Sequence, residues 1–197
     1  MRIDIPKDQI NQLHEYKEAQ EKMSKQMIDY WYDYSSFDTW QFWVIVGMII
    51  IPLVILYLFI DRKRIFLLGF FGLNIHIWMV YIDAIGTRFN FWEYPYKAIP
   101  LLPIHFGLDT SFVPVLFIFL YQWTLIKHKN FYIYSFLVAA GLTFLLKPLL
   151  AAHHFMHLKS GANFFYLFLG YILIILISKG ITNVFIYLHT KEEKSKD

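Results

Sequence analysis

Residues 40–60 read WQFWVIVGMIIIPLVILYLFI, an apolar run with no charged residue in it. About 20 helical residues cross the hydrocarbon core of a bilayer, so this stretch is long enough to span one. It is continuous, without the apolar–polar alternation of a barrel strand, and a helix is then the spanning structure. Stretches 65–85, 104–126, 131–155 and 164–188 have the same character. Composition agrees, because 57% of the 197 residues are hydrophobic and 17% charged, against roughly 45–50% and about 25% in ordinary globular domains. The sequence predicts an all-α polytopic membrane helix bundle with five transmembrane helices. Residues 1–38 are read as an extracytoplasmic amphipathic helix, 39–189 as the transmembrane domain and 190–197 as a charged cytoplasmic tail. Pro52, Pro114 and Pro148 lie inside spans, where kinks are expected.

Lys and Arg counts orient the bundle. Arg62, Lys63, Arg64, Lys127, Lys129, Lys191, Lys194 and Lys196 fall at one end, and Arg88, Lys97 and Lys159 at the other, with Lys25 of the N-terminal segment at the limit of influence. The richer end is cytoplasmic by the positive-inside rule, which predicts N-out and C-in. Residues 1–20 lack an apolar core, so no cleavable signal is expected. With no cysteine there are no disulfides or thiolate-bound metals. A net charge of +3 spread over short loops points away from nucleic acid.

In the N-terminal segment Leu13, Tyr16, Gln20, Met23, Met27, Tyr30 and Tyr34 recur at steps of three and four, one stripe of a helix. The preferred reading is a helix lying on its own bundle or on the lipid surface. The alternative is a coiled-coil seam making a homo-oligomer. Ser36 or Asp38 is expected to cap the first span, with Gln41 completing a capping box.

Ionisable groups inside a span usually face a partner or a cavity. The second span carries Asn74, His76 and Asp83, with His76 and Asp83 seven apart on one face. The third opens with Pro103 and places His105 and Asp109 four apart. The fourth carries Lys147 beside Pro148. At about 1.5 Å per residue these groups all fall in the outer half, Lys147 roughly 12 Å and Asp109 roughly 8 Å below the outer ends of their helices. An ion pair between Lys147 and Asp109 is predicted, with Asp83 as the nearest competing partner. The connection YIDAIGTRFNFWEYPYKAIP leaves from Asp83 and returns toward His105, so it reads as a lid over this cluster. Arg88, Trp92, Glu93 and Tyr94 are then available to the pocket. The competing reading makes Trp92, Tyr94 and Tyr96 part of an aromatic belt at the interface.

His153, His154 and His157 form an HHxxH pattern at the outer end of the fourth span, with metal-ligand spacing for His153 and His157. Interfacial histidines are the preferred reading, and no metal or other cofactor is expected. Lys179 is read as snorkelling to the cytoplasm. Gly69 and Gly72, with Ala139, Ala140 and Gly141, read as close helix contacts. There is no phosphate loop, GxSxG or HExxH.

The succession YWYDYSSFDTWQFW, IDRKR, GFFGLNIHIWMVYID, NFWEYPYKAIPLLP, LDTSFVPVLFIFLYQW and KP, over roughly residues 28–150, resembles a family of small integral membrane proteins from spore-forming Gram-positive bacteria. That resemblance implies a multi-pass protein of the bacterial cytoplasmic membrane. A fainter likeness is to the bacterial lycopene cyclase domain, in which an Asp precedes W-x-Y and then Pro-apolar-Glu-Glu. Asp83, Trp92 and Tyr94 match its first part, but Pro103 and Ile104 are followed by His105 and Phe106. The likeness therefore implies a shared architecture without the two carboxylates that would protonate a polyene.

Two functional classes follow. In the preferred one the protein is non-enzymatic, with membrane lipids as partners, and binds or passes an outer-leaflet lipid or small solute through Asp83, Asp109 and Lys147. In the other it is a membrane-embedded enzyme acting on an isoprenoid or lipid, with His76, His105 and Asp109 in acid–base roles.

Overall fold

A computed structural model describes residues 5–159 and 161–193. Lys194 and Lys196 lie outside them. The apolar runs are all helical, and five helices are long and apolar enough to cross a membrane: Trp40–Phe59, Arg62–Arg88, Leu108–Lys127, Phe131–Ala152 and Phe164–Glu192. The chain is a multi-pass helical membrane protein.

Lys7–Tyr34 forms α1, Trp40–Phe59 forms α2 and Ile65–Arg88 forms α3, with a single tight turn at Arg62–Arg64 before α3. Thr39 caps α2, its hydroxyl accepting from Phe42 N at 3.4 Å, so neither Ser36 nor Asp38 serves as the cap. Ser36 instead donates to Tyr32 O at the end of α1. At the opposite end Gln122 stitches the α2–α3 connection to the third span, accepting from Asp61 N at 2.7 Å and donating to Phe59 O at 3.1 Å.

The third and fourth spans each contain one wide helical turn. Leu108–Phe112 is such a turn and leads into α4, Val113–Lys127. Phe131–Gly141 is α5, Leu142–Leu146 the second wide turn, and Lys147–Ala152 is α6. In both, a backbone N–H reaches back five residues, Val113 N to Leu108 O and Lys147 N to Leu142 O. Each turn ends directly before a Pro pair, Val113-Pro114 or Lys147-Pro148. Proline lacks an N–H and its ring clashes with the carbonyl four residues back. A wide turn just ahead of it moves that carbonyl aside, so the expected kinks take this form at Pro114 and Pro148. Beside Pro52, Ser111 Oγ of the first wide turn donates to Ile49 O at 2.7 Å.

Phe164–Glu193 forms α7. Helix α3 is central, and Leu68, Phe71, Ile75 and Met79 are buried along it. Gly72 allows a close approach to Ile118, which a Cβ would overlap. No such contact surrounds Gly69 or Gly141, where a Cβ would meet nothing within 4 Å. Helix α2 is peripheral, with only Ile45 and Pro52 buried.

Of the two surfaces expected to receive the stripe of helix α1, the bundle does not do so. Leu13, Tyr16, Met23, Tyr30 and Tyr34 of the stripe are exposed, so that stripe does not lie on the bundle. The docking point is the last turn, where Trp31 is buried and donates Nε1–H to Lys97 O at 2.8 Å. Ser35 Oγ accepts from Lys97 N at 2.7 Å.

Candidate functional site

The site is built at the end of the bundle that carries α1 and the α3–α4 connection. Trp92–Glu93, here β1, pairs antiparallel with His157–Leu158, β2, so Trp92 opposes Leu158 and Glu93 opposes His157. The two strands join the α3–α4 and α6–α7 connections into one cap. Trp92 and Tyr94 alternate inward from it and are buried, while Glu93 points outward. Trp92 lies flat against α3 because Gly86 has no side chain there; a Cβ at Gly86 would overlap the indole ring.

Beneath the cap, Asp83 accepts three hydrogen bonds. Oδ1 takes Trp92 Nε1–H at 2.7 Å and Tyr94 Oη–H at 2.6 Å, and Oδ2 takes His105 N–H at 2.9 Å. Burial, then the charge of Asp83, pushes the Tyr94 phenol well above its ordinary range, so it remains a donor. The His105 N–H is shared, because Asp109 Oδ2 accepts from it at 3.0 Å. The two carboxyl groups thus converge on one N–H and lie within hydrogen-bond reach of each other.

His105 has a different part from the expected one. Regular helix begins after it, so Pro103 is not in the first turn, and the imidazole Nδ1 accepts from Leu108 N at 3.2 Å as a cap. Its contribution to the carboxyl pair is the backbone N–H, while its ring packs edge-on against Tyr94 with centroids 5.2 Å apart. His76, half-buried, places Nδ1 3.0 Å from Asp109 O and so holds the wide turn from the α3 side.

Asp83, Asp109 and Lys147 line one cavity of about 40 Å³. That is room for a few waters, each needing on the order of 10–15 Å³ on this measure. Its other walls are Met79 and Ile82 of α3 and Leu167, Gly170 and Tyr171 of α7. Lys147 is 3% exposed, and its Nζ stands 5.7 Å from the centroid of the Tyr94 ring. The direct Lys147–Asp109 ion pair is not formed. Among the described residues the one ion pair within 4.0 Å is Arg64–Asp61, at the other end of the bundle. Asp109 Oδ2 is instead turned toward His105 N. Asp109 Oδ1 is fully buried and has no hydrogen-bond partner.

Arg88 and Glu93 are exposed and do not line the cavity. His153, His154 and His157 are exposed as well; the rings of His154 and His157 stack at 5.6 Å, and among the described residues no group of three His, Cys, Asp or Glu is placed to hold a metal ion. Lys179 does not snorkel. It is buried, donates to Tyr121 Oη at 2.7 Å and sits 4.1 Å above that ring. Sequence reasoning missed Gly86 and the α7 wall, Gly170 and Tyr171. A lone Gly-Tyr pair in a run as apolar as LFLGYILIILI was the available signal for that wall.

In comparisons with known proteins, no family model, no curated protein and no solved structure matches the chain. The class defined by fold and span lengths is that of a five-span helical membrane protein with a capped polar cluster.

Proposed function

We propose that the protein is a non-enzymatic component of the bacterial cytoplasmic membrane, oriented N-out and C-in, that binds the polar end of an outer-leaflet lipid, or a small solute of like polarity, or passes it across. One observation carries this reading: the cavity between α3 and α7 has a polar floor of Asp83, Asp109 and Lys147 under an apolar flank of Met79, Ile82, Leu167 and Ile174. Tyr166, on the exposed face of α7, and Gly170 continue that lining outward, so the opening is lateral. An amphipathic molecule entering sideways from the bilayer presents the same order of surfaces. The present volume accepts only the tip of such a head group, and a larger one requires the β1–β2 cap to lift off Asp83.

The acid–base reading has less support. Its two imidazoles are held as structural groups, His76 on a carbonyl and His105 as a cap, and neither lines the cavity.

The test is native mass spectrometry of the purified full chain and of Gly170→Leu. A Cβ at Gly170 meets only Ile82 Cγ2, at 3.9 Å, so the larger side chain projects into the opening without a backbone clash. A lipid or polyprenoid adduct on the parent chain, reduced several-fold in the variant, is the expected result. Equal adduct loads, or no adduct on either, would overturn the proposal.

A further inference from the structure

We infer that α1 is an interfacial helix: its exposed stripe of Leu13, Tyr16, Met23, Tyr30 and Tyr34 seats on the outer leaflet, at the boundary of head groups and acyl chains, and needs no anionic lipid to do so. The cavity has no part in this seat, and the N-out orientation enters only in naming the leaflet.

The end of α1 is fixed at the bilayer surface. Only residues 35–39 separate it from α2, and five residues reach at most roughly 17 Å even when extended. Here they are folded into turns, with Thr39 N–H donating to Ser36 O at 3.0 Å and Trp43 Nε1–H to Phe37 O at 2.9 Å. Trp31 of the last turn packs edge-on against Phe37 and Phe42, with ring centroids 5.2 and 6.2 Å apart. The last turn of α1 and the first turn of α2 thus share one aromatic cluster.

From there α1 runs along the cap instead of rising from it. Ser24, Met27 and Ile28 are half-buried and continue the face of Trp31 and Ser35, both buried and bonded to Lys97 of the α3–α4 connection. Partial burial, then Tyr96 and Glu93, raise the Tyr30 phenol above its ordinary range, so that turn also lies beside the cap. At about 100° per residue, the stripe stands roughly a quarter turn to one side of the docked face. A quarter turn to the other side stand Glu18, Glu21 and Lys25, all exposed. A helix held by one face, with an apolar flank and a charged flank, fits a boundary between lipid and water.

The apolar flank is continuous with surface that already faces lipid. Tyr34 leads to Phe37, Trp40 and Trp43, all exposed, at the start of the peripheral span α2. Tyr and Trp concentrate at this depth, with the ring toward the acyl chains and the polar atom toward the head groups. A second copy of α1 fits less well, since the stripe carries Gln20 and three tyrosines where a coiled coil packs branched aliphatic side chains. Charge does not drive the seat either. Across Lys7–Tyr34, four Lys stand against six Asp and Glu, a net of −2, so an anionic surface does not attract the helix.

The experiment uses the full chain in nanodiscs, with a nitroxide on a single introduced cysteine, the chain having none of its own. Tyr16→Cys and Met23→Cys report the stripe, and His14→Cys and Lys25→Cys the charged side; all four positions are exposed. Relaxation by oxygen, which partitions into lipid, is compared with relaxation by a water-soluble nickel chelate. The oxygen-to-nickel accessibility ratio should be several-fold higher at the two stripe positions than at the other two, in phosphatidylcholine and phosphatidylglycerol discs alike. Equal ratios on both sides of the helix would leave the stripe in water and overturn the seat. A high ratio found only in phosphatidylglycerol would overturn its independence of lipid charge. Stripe labels shielded from both reagents, with spin–spin broadening that disappears on dilution with unlabelled chain, would put a second copy in place of lipid. A disc presents both leaflets, so every outcome is read apart from the orientation and from any ligand of the cavity.

Discussion

Gly86 shows how one missing side chain positions a functional carboxylate. Its backbone is the floor on which the Trp92 ring lies, and that ring delivers Nε1–H to Asp83 at 2.7 Å. Gly86→Ala drives a methyl group into the indole, which must leave α3 and take its hydrogen bond with it. Overpacking of a tight contact typically costs about 1–3 kcal/mol, so a lower melting temperature in detergent is expected. Trp92→Ala combined with Gly86→Ala should cost little more than Trp92→Ala alone, because the three nearest atoms to that methyl group all belong to the indole. Purely additive losses in that cycle would show that Gly86 serves something other than the indole. Asp83, Trp92 and Tyr94 could be picked out of the sequence as an acid in a span followed by aromatics. What could not be read was the donor from His105, because a backbone N–H leaves no mark in a residue code. Lys179 was misread for a related reason, since its partner Tyr121 lies 58 positions away and on another helix.

At the scale of elements, the two wide turns decide where the charges point. Asp109 lies within the first, and Lys147 directly follows the second. Without them, regular helices would send these side chains about 100° around their axes, as 3.6 residues per turn dictates. The prolines were visible; the wide turns ahead of Pro114 and Pro148 depend on neighbouring carbonyls that periodicity does not report, and Pro52 sits in regular helix without one. A wide turn accommodates one extra residue in a helix, so it should also release one. Deleting Phe144, a half-exposed residue of the second wide turn, should close it to regular helix and leave both flanks facing as before. Deleting Leu137, comparably exposed but in the regular part of α5, should rotate every residue on one side of the cut. The first variant is expected to retain a cooperative thermal transition in detergent and the second to lose it. The reverse order would mean that the wide turn is required for packing in its own right. Helix α1 belongs to this scale too. Its periodic stripe was legible, but its anchoring was not, because Trp31 and Ser35 hold the cap through the backbone of Lys97.

For the molecule as a whole, the five spans were legible because length and continuous hydropathy alone define a membrane helix. Their limits shifted by a few residues wherever polar caps, such as His105, replaced regular turns. Helix α1, the β1–β2 cap and the cavity all occupy one end, whose short connections carry only Arg88, Lys97 and Lys159, while Arg62, Lys63, Arg64, Lys127 and Lys129 occupy the other. An N-out arrangement therefore opens the cavity to the outer leaflet, and an N-in arrangement would open it to the inner one, so the proposed lipid source depends on it. The chain has no cysteine, so a single introduced thiol reports without background. Phe89→Cys is the probe at the cap end: Phe89 is 71% exposed, unlike neighbouring Thr87, whose hydroxyl is bonded to Pro103 O. Lys129→Cys is the probe at the other end, on an exposed connection between α4 and α5. In intact cells a membrane-impermeant maleimide should label Phe89→Cys, and should label Lys129→Cys only after the membrane is opened. Labelling of Lys129→Cys in intact cells would invert the bundle and move the ligand's source to the inner leaflet.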